Sequence, residues 1–245
     1  MGQIFYSTYS DNFISRGAGV SWNDTVTGSG TGLGAPSSPL LDILAKDDGV
    51  SGTRYAVIRP ILIFDTSTVG ATPISAGRIK IYVVNIVGVV KSGNDFLTVV
   101  QAVRNNPGTE VNFVDYQNCG VPVVNPSEGI DVGNRVDITN IDTGLNHDYL
   151  TFELNATGLS WVNPSGFTEF SIREGHDVLN SAITVDTVGN LVEFWSSTGS
   201  SNQRPYLELD TVGSKPMIFS SRTNTFPFIF HSISNAAPFI FSSRT

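Results

Sequence analysis

The sequence predicts an all-β fold, a jelly-roll β-sandwich with a C-terminal extension of three 11-residue strand repeats. Three observations lead there. The chain has 245 residues, is 40% apolar and only 15% charged, and carries 24 Gly, the composition of a turn-rich β protein with a real core. Short β-branched and aromatic runs recur from about residue 54, separated by Gly, Pro, Asn and Asp clusters. No alternation of strand and helix patterns runs through it, which excludes a parallel α/β fold. The length allows one large β domain or two small ones. The division read here is a sandwich over residues 1–212 and a repeat tail over 213–245.

The elements follow in chain order. The first fifty residues are turn-rich, and Gly28 to Ser38 reads as a loop. Arg54 to Asp65 is a strand. Its Ile61 and Ile63 lie opposite Leu62 and Phe64, so it is apolar on both faces and belongs in the interior, while Pro60 favours an edge or a bulge. Further strands are read at Ile79 to Val84, Phe96 to Arg104, Thr109 to Val114, Tyr149 to Leu154, Phe167 to Arg173, Leu191 to Ser196 and Tyr206 to Val212. Asn106-Pro107-Gly108 and Asn163-Pro164-Ser165-Gly166 are typical of the turns between them. One stretch reads as a helix: Asn155 caps Ala156 to Val162, and Pro164 stops it.

The residues offer little chemistry. His147, His176 and His231 have no ligand partners at metal spacing, and His147-Asp148 and His176-Asp177 are adjacent pairs that a strand would turn to opposite faces. There is no G-x-S-x-G, Walker loop or H-E-x-x-H. Asp47-Asp48 reads as a solvated turn. Cys119 is the single cysteine, which excludes an internal disulfide and reads as a small buried residue. No enzyme and no cofactor are expected. A calcium ion, if one is held, would fall to Asp131, Asn134, Asp137 and Asp142, which share a loop-rich stretch without EF-hand spacing. The formal charge of −8, with no basic cluster, argues against nucleic acid as a partner. No run of 18 apolar residues predicts a membrane span, and the first residues do not read as a secretory signal. Gly2 lacks the Ser or Thr that myristoylation wants, since Tyr6 stands there.

Several phrases together resemble the DNRLRE-type jelly-roll family, related to some carbohydrate-binding modules. They are Asp11 to Ile14, Arg59 to Ser67 followed by Ile74 to Tyr82, Phe152 to Trp161, and Phe194 to Ser197 followed by Arg204 to Leu209. The resemblance covers roughly residues 11–212 and implies a sandwich fold, with sugar binding as a possible role for such a body. The family's Trp-rich middle stretch is missing, because Val111 to Cys119 has no Trp. Sugar binding needs an exposed aromatic platform, for which Trp22 and Trp195 are the candidates. Trp161 reads as core, and Arg204 as packing on an aromatic or pairing with a carboxylate.

The tail stands outside this resemblance. Pro216 to Thr223 returns at Pro227 and again at Pro238, an eleven-residue period said three times. The copies bring Met217, Ile218 and Phe219, then Phe228, Ile229 and Phe230, then Phe239, Ile240 and Phe241, with Arg222 and Arg244 following the first and third. Each reads as a strand apolar on both faces and opened by a proline, the pattern expected of β-strand addition. The tail carries +3 and no acid, which leaves −11 of the total −8 on residues 1–212. These features lead us to expect a structural assembly protein, a phage-like virion or filament component whose tail docks on copies of itself or on another structural protein. The alternative is a carbohydrate-binding module on a fibre or cell surface. The expected location is a virion or an extracellular assembly.

Overall fold

The computed structural model describes residues 2–8, 11–19, 21–35, 38–47, 49, 55–88, 93–120, 135–142, 149–184, 188–212, 218–219 and 240–241. The strands are β1 (Gly2–Tyr6), β2 (Asn12–Gly19), β3 (Gly32–Leu33), β4 (Leu40–Asp47), β5 (Tyr55–Asp65), β6 (Ile74–Ile81), β7 (Val83–Val87), β8 (Phe96–Gln101), β9 (Val136–Asp137), β10 (Leu150–Glu153), β11 (Phe167–Glu174), β12 (Val188–Trp195), β13 (Tyr206–Thr211), β14 (Ile218–Phe219) and β15 (Ile240–Phe241). Short helices are α1 (Trp22–Thr27), α2 (Ala156–Ser160) and α3 (Gly175–Val178), with 3-10 turns at Phe113–Asn118 and Ile138–Asn140.

The body is an all-β sandwich, as its composition predicts. A four-stranded sheet in the order β1-β13-β6-β10 packs against a nine-stranded sheet whose main path is β7-β12-β4-β5-β11-β8-β9. Every pairing within these two sheets is antiparallel. Between them lies the main core, where Phe5, Ile79, Ile81, Phe152, Leu207 and Leu209 meet Leu41, Ile43, Leu62, Phe64, Phe170, Ile172, Val192 and Phe194. A second core lies on the other face of β5. There Val57, Ile61 and Ile63 pack with Ile14, Trp22, Val26, Tyr116 and Cys119 under α1 and the first 3-10 turn. The expectation that Ile61/Ile63 and Leu62/Phe64 are buried on opposite faces is met, with all four at 0% exposure. Pro60 sits opposite Phe13 of β2, just past the point where β4 leaves β5 and before β11 joins it.

Local chemistry sets several boundaries. Asn155 caps α2 as predicted, accepting from the Gly158 amide at 3.0 Å. The predicted strand from Ile79 to Val84 is two strands in different sheets: β6 ends at Ile81, Tyr82 belongs to neither, and β7 continues in the large sheet. The predicted strand at Thr109 to Val114 is instead loop and 3-10 turn. The Asn112 side chain accepts from Val114 N while Asp115 accepts from Asn112 N, a capping box that starts a helical turn. The turn-rich N-terminal fifty residues contain β1, β2, β3, β4 and α1, the last capped by Ser21. Asp47 is not in a solvated turn: it closes β4 at 1% exposure and accepts from Gly49 N. Among the described residues no helix is long and apolar enough to cross a membrane.

Of the tail, two short strands are described. β14 and β15 pair in parallel, Ile218 opposite Ile240 and Phe219 opposite Phe241. Met217, Phe228, Ile229, Phe230 and Phe239, and with them the middle copy, lie outside the described residues.

Candidate functional site

Two kinds of charged surface occur on the large sheet, and they differ in closure. The first is buried. Arg59 of β5 and Arg173 of β11 converge on Asp177, which α3 presents. Arg59 donates through Nε at 2.9 Å and Nη2 at 2.6 Å, and Arg173 through Nε at 2.7 Å and Nη2 at 2.9 Å. The remaining donors reach carbonyls of Tyr116, Val26 and Cys119, and the Arg59 guanidinium lies 4.0 Å from the Tyr116 ring centre. Burial alone would raise the Asp177 carboxyl, but Arg173 and Arg59 hold it well below the usual carboxylate range. Burial pushes the Cys119 thiol up to about 11, so it stays protonated and inert, as expected of a buried cysteine.

Two similar clusters flank it. Arg104 pairs with Glu169 at 2.9 Å and with Asp115 at 3.0 Å. Glu174 accepts from His176 N at 2.7 Å and from Asn190 at 2.7 Å, and meets His176 Nδ1 at 2.8 Å. Thus the His176 and Asp177 side chains serve separate networks, although the Asp177 amide also donates to Glu174 at 3.3 Å and the two residues sit on a helical turn and not on a strand. All of these groups are enclosed, and a closed network has no room for a substrate. They are architecture.

The second kind of surface is open. On the outer face of β7, β12 and β4, Asp42 stands opposite Glu193, and Glu193 stands opposite Asn85. Asn85 donates to Glu193 at 2.6 Å. Partial burial, and then the like charge of Glu193, push the Asp42 carboxyl up to about 6. Leu44, Leu191 and Trp195 share this face half-buried, and none of them belongs to the buried clusters.

The small sheet also has a distinctive outer face. Tyr6, Tyr206, Tyr149 and Tyr82 form a row with ring centres 5.9, 5.0 and 5.6 Å apart. Arg204 lies 4.9 Å from the Tyr6 ring centre, in line with its predicted aromatic packing, and Lys80 lies 5.5 Å from that of Tyr206. Burial, then the neighbouring phenols, push Tyr149 up to about 12. Beyond the row, Arg78 meets Glu153, Glu208 and Asp210 at 3.1 to 3.3 Å.

Of the predicted platform residues, Trp22 is overturned. It is 6% exposed, edge-on to Tyr55 at 5.5 Å, because α1 turns it into the second core with Val26. Trp195 is half-buried, and a side chain at Gly199 would strike its ring. Trp161 packs partly buried against the main core. Asp137 is turned toward Thr139, while Asp131 and Asn134 lie outside the described residues, as do Arg222 and Arg244. Among the described residues no three potential ligands gather as a metal site. A shallow cleft of about 550 Å³ is lined by Asp95, Phe96, Arg135 and Asp137, with Arg135 stacked on Phe96 at 4.5 Å.

In comparisons with known proteins, no family model matches the chain and no curated sequence matches it. The DNRLRE resemblance therefore rests on its quoted phrases alone.

Proposed function

We propose that this is a structural assembly protein, a component of a phage-like virion or a filament, in which a DNRLRE-like sandwich is the scaffold and the C-terminal repeats dock by strand addition onto neighbouring subunits. The observation that carries the reading is the parallel pairing of the first and third copies, position for position, at Ile218–Ile240 and Phe219–Phe241. The repeated phrase takes a copy of itself as partner. Every neighbouring subunit brings the same phrase, so the pairing favoured within one chain has an equal between chains. The main-chain hydrogen bonds of strand addition supply affinity, and the apolar positions on both faces gain from cover. Sedimentation velocity of the full chain, and of the chain lacking Gly213–Thr245, tests this. The full chain sediments as an assembly and the shortened chain as a monomer; a shortened chain that assembles equally well refutes the reading.

One observation favours a second reading, carbohydrate binding. The four-tyrosine row offers contiguous aromatic surface on an open sheet face, with Tyr6 47% exposed. Arg204 and Lys80 already lie over two of these rings, which narrows the surface left for a sugar. Glycan-array binding that disappears in Tyr6→Ala and Tyr149→Ala supports this reading, and an array without hits at the native oligomeric state counts against it.

A further inference from the structure

The outer face of β7, β12 and β4 holds two acids that no described cation pairs with. Asp42 and Glu193 are cross-strand neighbours of like charge, an arrangement that is unfavourable when left alone. Among the described residues no cation pairs with Asp42, and the one hydrogen bond to Glu193 comes from neutral Asn85. Around them Leu44, Leu191 and Trp195 are half-buried outside the cores, and Val87 is 50% exposed. β7 ends the sheet, and no described strand pairs with its outer edge at Asn85–Val87.

We propose that this face is the acceptor for the C-terminal repeats of a second copy of the chain, which run beside β7 at Asn85–Val87, cover Val87 with the Ile that shares a strand face with the arginine, and bring Arg222 or Arg244 to Glu193. The inference rests on the assembly reading above and adds where the tail goes. Charge complementarity supports it, since the tail carries +3 without an acid and residues 1–212 carry −11. The repeat supports it too. The position held by Arg in the first and third copies is Ile233 in the middle one, so the copies that pair with each other are the two that bring a cation. A strand added beside β7 lies about 4.8 Å from it and about 10 Å from β12. An arginine and a glutamate reaching toward each other close that gap.

Chain length and the pairing of the repeats select a second copy as the donor, since the third repeat is tied to the first at Ile218–Ile240. The Val212 amide is bonded to the Pro73 carbonyl, at the start of β6. Reaching β7 from there means passing the whole of β6, about 23 Å at ~3.3 Å per residue. From Val212 to Ile218 the chain stretches to at most about 21 Å. The first copy therefore falls short of its own β7, while a neighbour's is free to meet it.

The test uses full-length chains and light scattering. Glu193→Lys reverses the acceptor, and Arg222→Glu with Arg244→Glu reverses the tail. Each variant alone is expected to associate at least about ten-fold more weakly than the parent. Mixed, the intact tail of the first docks on the intact acceptor of the second, and the mixture associates. Dispersed variants that stay dispersed on mixing overturn docking between copies. If Glu193→Lys associates like the parent while removal of Gly213–Thr245 disperses it, the acceptor lies elsewhere and this inference fails, but the assembly reading stands. If removal of the tail changes nothing, both fail. Should Glu193→Lys not fold, Val87→Lys at the exposed edge takes its place with the same expected outcomes.

Discussion

The two charged faces of the large sheet are built from the same residue types and come to opposite ends. At Arg59, Arg173 and Asp177 the acid sits between two guanidinium groups, and the remaining donors find carbonyls. At Asp42 and Glu193 acid faces acid, and no guanidinium or ammonium is described beside Asp42. The first arrangement is complete within the chain. The second sets two acids side by side, with neutral Asn85 donating to Glu193.

Removing the answer on the closed side has the heaviest consequence. Asp177→Asn leaves two buried guanidinium groups without their carboxylate and is expected to cost about 3–5 kcal/mol, read from urea unfolding. A loss below about 1 kcal/mol would mean the closed network is not what holds α3 and β5 together. The pH dependence has a definite sign. The Asp177 carboxyl is held below its unfolded value, so its contribution is complete above about pH 4 and is lost as pH falls through the folded value. Parent and Asp177→Asn should therefore converge in stability at low pH.

The next effect is local and lies outside both faces. Asn155→Ala removes the α2 cap and is expected to cost about 1 kcal/mol in the same measurement. A neutral result would show that α2 is held by the packing of Leu159 and Trp161 against the core.

The smallest effect has the opposite sign and bears on the open side. Burial, and then the like charge of Glu193, raise the folded Asp42 carboxyl to about 6, above the usual carboxylate range. The folded chain therefore takes up this proton before the unfolded chain does. The parent gains stability from this group as pH falls from about 6 to about 4, and lacks that gain at pH 7. Asp42→Asn removes the repulsion, so the unassembled chain should become more stable at pH 7 by no more than about 1 kcal/mol after solvent screening. The difference should shrink or reverse near pH 4. Destabilisation at pH 7 would mean that Asp42 is answered within the chain after all.

Much of the fold was legible because its pattern is local. β5 announces itself by apolar residues on both faces, and α2 by Asn155 and Pro164. The capping box of Asn112 and Asp115 was also present in the sequence, but Val111, Phe113 and Val114 made the stretch look like a strand. The alternation of Leu41, Ile43 and Ala45 in β4 was readable too, though overshadowed by the surrounding Gly and Ser. The break at Tyr82 had no such local mark. Ile79 to Val84 contains no turn residue, and the switch between sheets is decided by what packs on either side. Trp22 misled because its loop looks polar, whereas Val26, four residues on, places both on one helical face. The open face was not legible at all. Asp42, Asn85 and Glu193 come together only through the registers of β4, β12 and β7, as Tyr6, Tyr82, Tyr149 and Tyr206 do through the small sheet.

Amide hydrogen exchange at Asn85–Val87 gives the most direct view of the open face. It is measured on the full chain at a concentration where it associates, and on the full chain carrying Arg222→Glu and Arg244→Glu. Docking of the tail beside β7 predicts slower exchange at these amides in the parent, lost in the variant while the buried strands β5 and β11 stay protected in both. Equal exchange at Asn85–Val87 in the two chains, when only the parent associates, would contradict the assignment of this face as the acceptor.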